Sequence, residues 1–360
     1  MKPIRNQHFL KTFFLICFSF LLCSQAAATT RYVRQGGSGT GDGSSWANAS
    51  GNLQAMIDAS SSGDEVWVAA GIYKPTSGTD RTISFVMKNG VAIYGGFPNT
   101  GNPTFAERNW VTNPTTLSGD LNGNDVVTGA GSTLSIAMNT ENSYNVIVND
   151  GNGLNNTAVL DGFTIKGGNA NLSSNIVQNR GSGMYNNGSS PTIRNCRFSG
   201  NFASFYGAGM YNNNNSASII NCSFSNNYVN GFGGGGMDNS FGAPTVINCS
   251  FWGNYAREGG GMFNFESTTT IINCSFSGNH AFREGGGIYN SVSSPIITNS
   301  IIYGNTAISG PVLYNYSNSN PTISYSLVDV ADCAAVNAGG GGSCGAGMVF
   351  NDNPLFVDAP

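Results

Sequence analysis

Apolar positions in this chain come in short alternating runs, broken every few residues by Gly, Asn, Ser or Pro. Glu65-Val-Trp-Val-Ala69 and Gly71-Ile-Tyr73 have the two-residue period of strands. Further strands are expected near Ile83–Met87, Val91–Tyr94 and Tyr144–Val148. Leu53, Met56 and Ile57 differ, falling on one face of a short helix. From 160 to 330 the alternation becomes a repeat. NCRFSGN (195–201), NCSFSNN (221–227), NCSFWGN (248–254), NCSFSGN (273–279) and NSIIYGN (299–305) are one motif, at steps of 26, 27, 25 and 26 residues. A second motif keeps the same steps: GMYN (183–186), GMYN (209–212), GMDN (236–239), GMFN (261–264), GIYN (287–290) and VLYN (312–315). Two motifs in phase define one recurring structural unit.

A single unit cannot stand alone. Fixing its backbone costs roughly 1–2 kcal/mol per residue. Its few recurring apolar side chains return only about 1.5–3 kcal/mol each. Stacking solves this, because each strand then pairs above and below at about 4.8 Å and like residues lie over like. The stack predicts an inward column of Met184, Met210, Met237, Met262, Ile288 and Leu313, and another of Phe198, Phe224, Phe251, Phe276 and Ile302. Three asparagine columns accompany them: Asn186 to Asn315, Asn195 to Asn299 and Asn201 to Asn305. Asparagine tolerates the left-handed backbone of a sharp corner, and stacked amides hydrogen-bond along an axis, so structural roles are expected. Asp161-Gly-Phe-Thr-Ile165 reads as a divergent copy of the first motif. The end of such a stack exposes strand edges, which the helix near Leu53 is placed to cap.

The motifs resemble the polymorphic outer membrane protein repeat, whose signatures are F-x-x-N and G-G-A-aliphatic. Phe198-Ser-Gly-Asn201 and Gly259-Gly-Gly-Met262 stand in those places, with Gly for Ala. The resemblance covers about half the chain. It implies an all-β fold, the right-handed parallel β-helix of pectate-lyase-like architecture, with a short N-terminal capping helix. Arg31 to Thr76 is similar to the start of secreted bacterial β-helix proteins. The expected organisation is a signal peptide (1–28), cap and first coil (29–76), irregular early coils (77–158), regular repeats (159–330), and a C-terminal loop and tail (331–360). Relatives usually continue past a segment like Asn353–Pro360, so a truncated C-terminus is one expectation.

Composition narrows the function classes. Only 9% of residues are charged and the net charge is −4, which excludes the basic face of a nucleic-acid binder. A hydrophobic share of 40% excludes a charged disordered chain. Glycine is abundant but lacks collagen's three-residue period. Lys2, Arg5 and Lys11, the apolar run Phe13–Cys23 and Ala26-Ala-Ala28 have the form of a secretory signal peptide, too short for a membrane span. A secreted, extracellular or outer-membrane/cell-surface associated protein is expected, with no transmembrane span after cleavage. Cys196, Cys222, Cys249 and Cys274 share one column, continued by Ser300 and Ser326. Stacked Cβ atoms at the coil spacing are too far apart for disulfides, so buried thiols are expected. Cys333 and Cys344 flank a glycine-rich loop outside the column and are expected to pair in an exported chain.

Candidate chemistry is sparse. Tyr185, Tyr211, Phe263, Tyr289 and Tyr314 each follow the inward aliphatic column by one residue, so alternation points them outward, with Asp238 the single interruption. Such a strip either stacks on glycan rings or packs beneath loops. Arg257-Glu258 and Arg283-Glu284, each followed by three glycines, lie one coil apart, which predicts Arg over Arg and Glu over Glu, with Asp238 a coil earlier. Two carboxylates and two guanidiniums suit binding or cleavage of an acidic glycan; an ion-pair cluster is the plainer reading. His280, the mature chain's one histidine, is expected in a solvated loop. The Asp-Asp, Gly-His-Gly and Arg-Ile-Lys elements familiar from polygalacturonases are missing. Asp120-Leu-Asn122-Gly-Asn124-Asp125 spaces oxygens as a calcium loop does, but the EF-hand's Gly and Glu positions hold Asp125 and Gly131. A turn with Asx hydrogen bonds is the plainer reading, with calcium the one candidate cofactor. The expectation is a binding or structural protein, adhesin-like or glycan-binding, whose partner is a polysaccharide or cell-surface glycan. The alternative is a polysaccharide lyase or glycoside hydrolase.

Overall fold

The computed structural model describes residues 28–354, so the signal-peptide reading lies, but for Ala28, outside the described residues. Among them no helix is long and apolar enough to cross a membrane. The strands form parallel ladders of eleven, ten, eight and five members, here the first to fourth sheets. One coil runs through Arg197–Ser199 in the second sheet, Phe202–Ala203 in the fourth, Met210–Asn213 in the third and Ser218–Ile220 in the first. The chain then returns to Ser223–Ser225, in register with the strand it left.

Packing follows the columns. Met184 pairs with Met210, and the series continues in register through Met237, Met262 and Ile288 to Leu313, all buried. The Phe198, Phe224, Phe251 and Phe276 rings stack at centroid distances of 4.9, 4.8 and 4.5 Å. The cysteine column is buried and its thiols are free. Each donates to the carbonyl two residues before it, as Cys196 Sγ does to Arg194 O and Cys249 Sγ to Ile247 O. The Ser300 and Ser326 hydroxyls make the same bond to Thr298 O and Ser324 O. Cys333 and Cys344 are joined by a disulfide.

The three asparagine columns divide the work that the sequence assigned to them jointly. Asn195, Asn221, Asn248, Asn273 and Asn299 take φ of 51–54°, turning the first sheet into the second. Asn201, Asn227, Asn254, Asn279 and Asn305 instead form a buried amide ladder, each of the first four donating its Nδ2 to the next Oδ1. The left-handed residue of that corner is the one before, as with Gly200 and Asn226. Asn186 to Asn315 form a second buried ladder, for example Asn239 Nδ2 to Asn264 Oδ1 at 3.0 Å. The buried amides of the two ladders are tolerated because every one of them is paired.

The capping helix is Leu53–Ala59, with Leu53, Met56 and Ile57 buried and Asn52 Oδ1 accepting from Ala55 N. Ala92–Phe97 and Ile147–Asp150 are strands, but Ile83–Met87 contributes only a bridge from Phe85 to Ile147. Residues 119–145 leave the coil as a strap. Its hairpin, Val126–Thr128 with Ser135–Ala137, is antiparallel. The strap's tip, Gly131, donates its N–H to Gly253 O and passes the corner at Gly278.

Candidate functional site

The residues that follow the Met column stack as alternation requires. Tyr185 and Tyr211 are 5.4 Å apart, Phe263 and Tyr289 5.0 Å, and Tyr289 and Tyr314 5.5 Å. They are not a free surface strip, since Tyr185, Tyr211, Phe263 and Tyr289 are all buried. Side chains from the preceding turns lean over them. These occupy a further column four residues before the Met column: Arg180, Tyr206, Gly233, Glu258, Glu284 and Ser309. Bridges pair Arg180 with Tyr206 and Glu284 with Ser309, and Glu258 lies in register with Glu284.

Asp238 explains where Tyr206 goes. It leaves a gap in the aromatic ladder, and the Tyr206 ring packs 6.2 Å from Tyr211 and 6.4 Å from Phe263 on either side of it. A side chain at Gly233 would meet both Tyr206 and Asp238 Oδ2, so glycine there makes the room. The Asp238 carboxyl is fully buried; Oδ1 accepts from Ser240 Oγ at 2.9 Å and Oδ2 has no partner. Burial pushes its pKa up to about 7, against the pull of Ser240, Arg180 and the Gly234 amide. Arg180 donates to Tyr211 Oη at 3.1 Å and stacks 4.7 Å above Tyr206.

Together these side chains enclose a groove of about 310 Å³. Tyr211, Phe263 and Tyr289 form its floor, Tyr206, Phe232 and Glu258 one rim, and Phe241, Phe265 and Tyr316 the other. The second rim carries backbone strain. Phe241 has φ of 53° and is 49% exposed, at a corner that Gly188 and Asn214 turn in earlier coils and Glu266, Val292 and Ser317 in later ones, all with positive φ. A non-glycine residue in this region costs about 1–3 kcal/mol. The larger cleft beside the capping helix, about 670 Å³, has Lys74 but no carboxylate in its lining.

The charged repeats are only partly stacked. An extra residue in His280–Glu284 keeps Glu258 over Glu284 but breaks the expected Arg257 over Arg283 register. Arg257 pairs with Glu258 at 3.4 Å and lies 4.1 Å over the Phe232 ring, while Arg283 is exposed outside the groove lining. Burial, then Glu284, raises the Glu258 pKa, against Arg257 and Arg283. His280 is half-buried in a strand, not in a solvated loop, with Nδ1 2.7 Å from Thr306 Oγ1. Periodicity at the Met column did not find Arg180 and Tyr206; the column four residues earlier carries them.

In the calcium-like segment Asp120 turns inward, Oδ1 accepting from the Gly123 and Asn124 amides, which is the Asx turn. Asn122 and Asn124 are exposed. Glu141, from the strap's return, joins Asp120 and Asp125. Burial, Asp120 and Glu141 push Asp125 up to about 6, against its bond from Asn142.

With four parallel ladders and in-register coils established, the relatives are informative. Residues 185–353 match the family model described as right handed beta helix region. The chain is a right-handed parallel β-helix. Among solved structures, the crystal structure of pectate lyase Pel9A is similar to it, with 13% identity, a TM-score of 0.54, and coverage of 90% of this chain and 78% of that one. At that identity the likeness concerns the fold. No curated protein matches the sequence.

Proposed function

We propose that this β-helix is a secreted or cell-surface protein that binds a polysaccharide in the aromatic groove of its third sheet. The observation that carries the reading is the pair of exposed rings, Phe241 and Tyr316, on one rim of a groove with an aromatic floor. Aromatic faces on both rims offer sugar rings a stacking surface, and Arg180 and Glu258 supply polar contacts. The repeat resemblance supports an adhesin-like setting. The test is a glycan array on the mature chain, followed by calorimetry with the best ligand. Phe241→Gly is expected to lower affinity about fivefold, equivalent to roughly 1 kcal/mol for one ring, with equal or higher folding stability. Tyr316→Ala should weaken binding similarly. Unchanged affinity in both variants would remove the groove from the function.

A second reading rests on Glu258 and Glu284. In-register neighbours on parallel strands lie about 4.8 Å apart, near the carboxyl spacing of roughly 5–5.5 Å used by retaining glycosidases. Its mark would be release of reducing sugar, or of unsaturated uronate if the bond is broken by elimination. Glu258→Gln and Glu284→Gln would abolish that release. A binder releases nothing in either case and keeps its affinity in Glu284→Gln, which lies outside the groove lining.

A further inference from the structure

The base of the strap holds more oxygen than its hydrogen bonds use. Asp120 and Asp125 lie on the outgoing leg, Glu141 and Asn142 on the returning leg. One carboxylate oxygen from each of Asp120, Asp125 and Glu141 lies within 4.8 Å of the others. Asn142 is fully buried, and its Nδ2 donates to Asp125 Oδ2 at 2.8 Å, so the side chain reaches into the cluster. Its Oδ1 has no partner. Asp125 Oδ1 and Glu141 Oε1 are also buried and unpartnered. Orphaned buried acceptors are costly, on the order of 1–3 kcal/mol each and more when charged. Here all three are oxygens, carried by residues of one cluster.

We propose that these residues bind one calcium ion, which pins the two legs of the strap to the β-helix. Oxygens within 4.8 Å of one another can share one calcium ion at about 2.3–2.6 Å. Magnesium dehydrates reluctantly and usually keeps several waters, which a half-buried set of protein oxygens suits less well. The cluster offers no imidazole or thiolate, the donors zinc favours. A cleft of about 350 Å³ lined by Asp125, Lys166 and Gly167 gives the ion a way in. The set adds Glu141 and Asn142, from the returning leg, to the Asp120 and Asp125 of the loop that the sequence suggested. The ion would do for the strap what backbone pairing does for the coils. From its base the strap crosses the corners at Gly200, Gly253 and Gly278, yet its hairpin pairs with itself and not with a coil.

The test uses the full chain stripped with EGTA and titrated with calcium chloride by calorimetry, with magnesium chloride as control. One site is expected, with magnesium at least about tenfold weaker. Asp125→Asn and Glu141→Gln should each weaken calcium binding about tenfold or more. Both substitutions remove a charge from a crowded trio, so both variants should fold, as circular dichroism would confirm. Limited proteolysis supplies a second readout. Cleavage within 119–142 should slow on adding calcium to the wild type and stay unchanged in the variants. No heat and no protection in the wild type, or wild-type binding by both variants, would overturn the site.

Discussion

Phe251 lies between the Phe224 and Phe276 rings, stacked on both and fully buried. Deleting its ring leaves a cavity that neighbours fixed in register cannot collapse into, so Phe251→Ala should cost about 3–5 kcal/mol in denaturant unfolding. Phe251→Asp should cost more, because it leaves a carboxylate between two phenyl faces. A wild-type midpoint for Phe251→Asp would rule out the stacked column. Asp238 presents the reverse case, a carboxyl that the fold already buries. Its folded pKa of about 7 is above the value of about 3.9 expected unfolded. The folded state therefore favours the proton. The stabilisation is complete below about pH 4 and is lost as pH rises through about 7. The groups facing it are Arg180, Ser240, Tyr206 and Tyr211. Asp238→Asn should match wild type near pH 4 and exceed it near pH 8 by a few kcal/mol, to an order of magnitude. Equal stability at both pH values would show that Asp238 stays ionised in the folded state.

At the scale of the element, a column matters more than any one member of it. Cys196, Cys222, Cys249 and Cys274 hand over to Ser300 and Ser326 without a change in the hydrogen bond each makes. The position asks for a small side chain that donates to the carbonyl two residues back. Cys274→Ser should therefore keep a midpoint close to wild type, while Cys274→Leu should overpack the corner. Burial holds the Cys222 thiol well above its ordinary pKa. The four column thiols should stay unmodified by an alkylating reagent in the native state and react after denaturation. Cys333 and Cys344 should stay silent in both conditions until a reductant is added. Mass mapping that found a disulfide inside the column would contradict the stacked geometry.

For the whole molecule, stability and function are spread differently along one axis. Nearest-neighbour coils share every ladder, so stabilising contacts recur at each step. The groove arises where the repetition lapses. Asp238 interrupts the ladder, Gly233 clears a space, and Tyr206 fills it. The strap likewise departs from the period, and its base is where unpaired oxygens collect.

The period alone determined the coil, its inward columns, the buried thiols and the aromatic ladder. These are local facts: a strand's two faces alternate, and a residue's neighbour one coil away is its own counterpart in the repeat. The helix at Leu53–Ala59 was legible for the same reason, on a different period. What the period does not encode is how deep a side chain lies. Tyr211 points away from the Met column as alternation requires, yet it is buried because Arg180 and Tyr206 from neighbouring turns cover it. Glu141 reaches Asp120 and Asp125 only because the strap doubles back, and no repeat fixes the path of that return. Burial and convergence are sums over chain segments distant in sequence, so the tertiary structure decided both the groove and the oxygen cluster.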